Sequence, residues 1–337
     1  MNTAELPMIL FTVLAQMSVG AFLTLGLIQA DGLARRQPVT ATDRVTRAAL
    51  FAVGPLLVLG FFAAFFHLGD PFHAVNTLRH LGSSWLSREI LFGVLYGGLG
   101  LVYTVTEWLG KGSRTLRQAL AVLTALAGVA LLVSMICVYY SVPTIPAWHT
   151  PATWALFLGS AFLTGPLAVG VALLLAWTQQ RKREDDGAAN LWARTLGTLQ
   201  VTSEEKLDET SSGLIARAIQ QVAVLASVAG VVLLVTYPFY LLHLSSSGDA
   251  ASAHVLSSLT HSPLLAVRLV LLAVVVILVR FVAYRRAKAP EHPSTALVWT
   301  IVVAYVLAVV TELTGRVIHY EGLYHVGLNT LQSGLGG

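Results

Sequence analysis

The sequence predicts an all-α, polytopic membrane protein with eight transmembrane helices. Three observations carry that reading. Only 38 of 337 residues are charged, or 11%, where a soluble domain carries about 25%. Hydrophobic residues make up 55%, and the mean hydropathy is +0.72. The apolar residues fall in continuous runs, and a lipid-spanning helix needs roughly 20 of them. Runs without alternation exclude a membrane barrel. So little polar surface excludes a cytosolic or secreted enzyme, a nucleic-acid binder and a disordered polypeptide. The pI of about 9.3 fits basic loops facing anionic lipid.

The spans are expected at 6–30, 48–68, 88–109, 116–140, 153–177, 218–243, 263–284 and 296–316. The first run is too long for a signal-peptide core and lacks a basic leader, so it reads as a true span. All connections are short except 178–217. That segment holds RKREDD and SEEKLDETSS and reads as a polar cytoplasmic loop, with a short amphipathic helix over 191–199. The whole of 1–337 reads as a single integral membrane domain.

Lys and Arg positions set the orientation. The odd-numbered loops hold Arg35, Arg36, Arg44 and Arg47, then Lys111, Arg114 and Arg117. They also hold Arg181, Lys182, Arg183, Arg194, Lys206 and Arg217, then Arg280, Arg285, Arg286 and Lys288. Those are 17 of the 21 basic residues. The odd loops are therefore expected in the cytoplasm, and both termini outside it. Of the ten histidines, only His292 then falls on the cytoplasmic side.

The single cysteine, Cys137, excludes an intrachain disulfide and a self-contained iron–sulfur cluster, which takes about four thiolates. Haem is not expected either. His67, His243 and His319 are the histidines nearest span ends, and all three sit at one face with no second tier of ligands. A transporter would place charges near the bilayer midplane, whereas the spans here are nearly charge-free in their middles.

The remaining charges mark where chemistry is expected. His67 closes the second span on a ledge of Phe61, Phe62, Phe65 and Phe66, and Gly69, Asp70 and Pro71 then break the helix. Ser87 reads as the cap of the third span, and Glu89 as an acid in its first turn. An imidazole and a carboxylate beside an apolar opening suit a quinol, whose hydroxyls need acceptors and a proton exit. Glu312 and Arg316 lie four apart on one helix face and can pair. Arg268 should lie at similar depth, because Pro263 starts its helix from the same side. Gly93 and Gly97 form a GxxxG pair that favours tight packing. Tyr139, Tyr140, Trp148 and Trp154 read as an interfacial aromatic belt.

The segment HLGDPFHAVNTLRHLGSSWLSREI resembles the helix 2–3 region of the membrane-anchor subunit of dimethyl sulfoxide reductase. The strings ELTGRVIHY, PMILFTVLAQMSVGAF and YYSVPTIPAWHTPATWALFLGSAFLTGPL resemble the same family's helix 8 end, helix 1 and helix 4–5 junction. The resemblance extends over most of the sequence. It implies an eight-helix, cofactor-free anchor in the cytoplasmic (inner) membrane that binds and oxidises menaquinol. Its partners would be a four-cluster iron–sulfur subunit and a molybdopterin catalytic subunit, docked on the non-cytoplasmic face. His67 and Glu89 match the family's quinol-site His and Glu, with Arg79, Arg268, Glu312 and Arg316 as supporting residues. His73, also expected in that site, stands where the family carries Arg. Sister anchors serve sulfite-oxidising complexes that run electrons the opposite way, into quinone.

The distribution of basic residues can be checked directly. In a Cys137→Ser background, a Ser203→Cys variant should react with a membrane-impermeant thiol reagent only from the cytoplasmic side. Labelling of intact cells or right-side-out vesicles would invert the whole arrangement.

Overall fold

The computed structural model describes residues 6–65, 79–186, 209–288 and 294–326. Among them the protein is helical, with no strand. In order come α1 (Leu6–Ala34), α2 (Val39–Phe65), α3 (Trp85–Leu109), α4 (Arg114–Tyr140) and α5 (Pro151–Asp186). They are followed by α6 (Glu209–Ser246), α7 (Ala250–His261), α8 (Pro263–Arg286) and α9 (Thr295–Glu321). Within α8 the stretch Leu278–Ala283 is wound as a π-helix. Seven helices among the described residues are long and apolar enough to cross a membrane: α1, α3, α4, α5, α6, α8 and α9. The remaining apolar run, 48–68, is helical in α2 up to Phe65, its last described residue.

The bundle is built on α1 and α5, whose apolar windows are the most deeply buried. α1 is apolar all round, as a helix surrounded by other helices must be. It packs on α2 and α5; α5 packs on α6; α3 and α4 form a tight pair at one side. Two glycines let α1 and α5 touch backbone to backbone. A Cβ at Gly20 would stand 2.0 Å from the Ala161 carbonyl oxygen, and one at Gly165 would stand 2.4 Å from the Ala21 nitrogen. Without a hydrophobic drive between helices in lipid, such close approach is a main source of association. Of the GxxxG pair on α3, Gly93 is buried. The outer faces keep Val94, Leu101, Val122, Leu126, Val228, Phe239 and Val270 exposed, as a lipid-facing surface requires.

Four serines and one aspartate cap helix starts, though not always the expected residue. α3 is capped by Ser84, whose Oγ accepts from the Ser87 backbone N–H at 3.3 Å. Ser87 is therefore inside the helix and buried. Glu89 moves with it into the second turn, beyond the strongest reach of the helix dipole. Arg88 folds back, donating from Nε to the Leu81 carbonyl and from Nη2 to that of Gly82, both at 2.8 Å. Ser113, Asp249, Ser262 and Ser294 cap α4, α7, α8 and α9 in the same way.

Two further features differ from expectation. The short helix α7 stands where a loop is expected, because twelve residues rich in Ser and His cannot register as a span. The 178–217 segment is helical at both ends, since α5 runs on to Asp186 and α6 begins at Glu209. Its Arg, Lys and Glu residues favour helix once in water. The expected helix at 191–199 lies outside the described residues.

Overpacking the α1–α5 seam should cost about 1–3 kcal/mol. Gly165→Val is expected to lower the thermal unfolding midpoint in detergent by several degrees. Gly98→Ala, which meets nothing within 4 Å, should leave it unchanged.

Candidate functional site

The buried ionisable groups gather at one end of the bundle. α3, α8 and the α4–α5 turn contribute from their near ends, α9 from its last turns and α1 through Gln16. Arg268 and Glu312 are 2% and 1% exposed, respectively. Arg268 Nη2 donates to both Glu312 oxygens, at 3.2 and 3.4 Å, and Nη1 donates to the Thr311 carbonyl at 3.0 Å. Thr311 Oγ1 donates back to the Arg268 carbonyl at 3.2 Å. The guanidinium lies in a notch made by Gly315, where a Cβ would be 0.7 Å from Nη1. Tyr237 of α6 lies 5.3 Å from the guanidinium carbon.

Arg268 therefore does share the depth of Glu312, and it takes the carboxylate that the helix spacing assigned to Arg316. Arg316 turns toward α1 and donates from Nη2 to Gln16 Oε1 at 2.7 Å. Its guanidinium carbon stands 3.6 Å above the centre of the Phe157 ring. The preference is physical: an antiparallel neighbour presents Arg268 to Glu312 from across the interface, whereas an i,i+4 pair would leave Arg268 buried without a counter-charge.

Beside Arg316 lies an aromatic cage. His319 stacks on Trp148 at 5.5 Å, meets Tyr139 edge-on at 4.9 Å and packs on Phe157 at 5.2 Å. Trp148 Nε1 donates to the His319 carbonyl at 2.8 Å. The hydroxyls of Tyr139 and Tyr320 are 2.7 Å apart. Tyr139 and Trp148 are thus part of the interior rather than an interfacial belt, and His319 is buried. Glu89 is 6% exposed and, like Arg316, close enough to Tyr139 and Tyr320 to act on both electrostatically.

Four buried polar atoms here have no hydrogen-bond partner among the described residues: Gln16 Nε2, Ser160 Oγ, Arg268 Nε and His319 Nε2. Buried polar groups are normally satisfied by protein or ordered water. This end of the bundle is chemically polar inside an apolar shell.

Of the expected site residues, the structure brings Arg268, Glu312 and Arg316 together, with Glu89 at the edge of the same region. Arg79 is exposed. His67 and His73 lie outside the described residues. Sequence reasoning misses Gln16, Phe157 and Tyr237, because a single amide or aromatic residue within an apolar run carries no pattern.

A helical bundle of this kind, with its ionisable residues sealed into one end, defines an integral membrane subunit. The family described as DMSO reductase anchor subunit (DmsC) matches residues 1–323, and the protein belongs to that family. It is 35% identical over 172 residues to the C component of anaerobic dimethyl sulfoxide reductase from Escherichia coli (strain K12), covering 51% of this sequence and 58% of that protein. The C component of the Haemophilus influenzae reductase is 33% identical over 196 residues, covering 57% and 67%. The C component of sulfite dehydrogenase from Allochromatium vinosum is 33% identical over 165 residues, covering 45% and 50%. The matched stretches thus span little more than half of most of these relatives.

Removing one partner of a buried ion pair strands the other, at a cost of about 3–5 kcal/mol. Glu312→Gln should therefore destabilise the protein more than the double change Arg268→Met with Glu312→Met, as read by thermal unfolding in detergent. Gly315→Ala should behave like the single change, because it evicts the guanidinium.

Proposed function

We infer that this protein is the membrane anchor of a molybdopterin oxidoreductase complex of the cytoplasmic membrane, and that it oxidises menaquinol at the end of the bundle that holds Glu89. In this reading the polypeptide spans the membrane eight times with both termini outside the cytoplasm. Its partners are an iron–sulfur subunit and a molybdopterin subunit docked on the non-cytoplasmic face, over the loops 69–87 and 141–152. Family membership supports the anchor role. The observation that carries the site is the burial of Glu89 within electrostatic reach of the Tyr139–Tyr320 pair, at the end where Arg268, Glu312 and Arg316 collect.

Oxidation of a quinol releases two protons and two electrons. Glu89, with His67, accepts the protons. The fixed charges of Arg268 and Arg316 bias the region toward negative charge developing on the ring oxygens as protons leave. The electrons pass to a cluster on the docked partner, since the anchor supplies no relay of its own. The likeness to a sulfite dehydrogenase component favours a second reading, in which the same site runs in reverse and reduces quinone.

Removing a positioned proton acceptor costs about 10²–10⁴-fold in rate. Glu89→Gln and His67→Ala should each lower quinol-driven turnover of the complex by about 100-fold or more. Turnover driven by a soluble dye at the partner subunits should stay intact. Normal quinol-driven rates in both variants would remove the site from this end of the bundle.

A further inference from the structure

A second region fits a membrane-soluble ring, at the opposite end of the bundle from Glu89. Two adjoining cavities, of about 690 and 400 Å³, lie between α1, α2, α3 and α4 and share Gln29, Tyr103, Gln118 and Ala121. Drug-sized ligands occupy clefts of about 300–1,000 Å³. Along α3, Tyr103 is fourteen residues beyond Glu89, or about 21 Å at 1.5 Å per residue. The two regions are therefore separate.

The larger cavity is apolar and aromatic. Phe22 and Phe162 form its walls, and Phe22 meets Tyr103 edge-on at 5.9 Å. Ala121 and Ala125 keep one side of it open by their small size. Leu27 and Val122, which help line it, are 48% and 58% exposed on the lipid-facing surface. An isoprenoid tail has an exit there.

The smaller cavity supplies the polar end. Gln29 and Tyr103 both line it, and Gln29 Nε2 donates to Thr46 Oγ1 at 3.3 Å. Arg117 Nη1 is tied to Glu107 Oε2 at 3.1 Å, while its buried Nε has no partner among the described residues. The lining carries Arg114 and Arg117 against Asp43 and Glu107, so it is neutral overall. A phosphate headgroup finds no net positive charge here. A neutral flat head with oxygens to be hydrogen-bonded finds aromatic walls, amides, a phenol and a guanidinium N–H.

We propose that this cavity is a second quinone site, holding the ring between Phe22, Tyr103 and Phe162 with its oxygens toward Gln29, Gln118 and Arg117. The proposal uses the quinone chemistry inferred for the Glu89 end, but its test reads the two ends separately. The full-length protein with its co-purifying subunits, in lipid nanodiscs, is titrated with 2,3-dimethyl-1,4-naphthoquinone, and bound equivalents are counted. Two per anchor are expected. Ala125→Trp, which fills the larger cavity, should remove one equivalent and leave quinol-driven turnover unchanged; Gln118→Leu should weaken that equivalent at least tenfold. A photoreactive azido-naphthoquinone should label peptides within 22–50 or 103–125. No loss of binding in Ala125→Trp and Gln118→Leu, or a phospholipid in the cavity instead, would overturn the proposal. If Ala125→Trp removes an equivalent while Glu89→Gln changes neither binding nor turnover, this cavity stands and the site at the Glu89 end falls.

Discussion

The arrangement depends on one buried ion pair. Arg268 and Glu312 join α8 to α9 at a depth where neither side chain meets solvent. Charges in a bilayer interior are expensive, and pairing with added hydrogen bonds offsets the cost. Here the carboxylate takes two guanidinium contacts, the neighbouring carbonyl takes a third, and Thr311 returns a hydrogen bond. Gly315 is part of the same device, because any side chain there would occupy the guanidinium's place. With Glu312 held by α8, Arg316 is left to cross to α1, and His319 and Tyr320 follow into the aromatic cage one turn further on.

Much of the architecture was legible because lipid is an unforgiving solvent. A run of about twenty apolar residues in a nearly charge-free sequence has few structural options. The helices α1, α3, α4, α5, α6, α8 and α9 enclose the predicted stretches, with ends extended by up to nine residues. The extensions themselves had a readable cause, since RKREDD after α5 is made of residues that continue a helix in water. α7 was hidden because its cap and its Ser-rich body are signals of a soluble helix, and these are weak beside a span. The cap of α3 went to Ser84 rather than Ser87, and sequence alone offers two serines three apart with equal claims.

The site was legible by residue type and illegible by pairing. Arg268, Glu312 and Arg316 stood out as charges in apolar surroundings, so their importance could be read directly. Which of them meet is a matter of helix contacts that no spacing encodes. The i,i+4 geometry made Glu312–Arg316 the natural pair, and an interhelical partner won. Tyr139 and Trp148 carried the composition of an interfacial belt and instead pack on His319 inside the bundle. Residues such as Gln16 acquire meaning only from a partner in another helix.

That bond, from Gln16 in the first helix to Arg316 in the last, spans 300 residues of sequence. At about 5–20 residues per second of synthesis, the amide of Gln16 waits roughly 15–60 s in the membrane before its partner is made. During that interval the first helix carries an unsatisfied polar side chain through the lipid or beside the insertion machinery. A polypeptide that stops before α9 therefore leaves the Gln16 side-chain carbonyl oxygen without the charged donor that the complete bundle gives it.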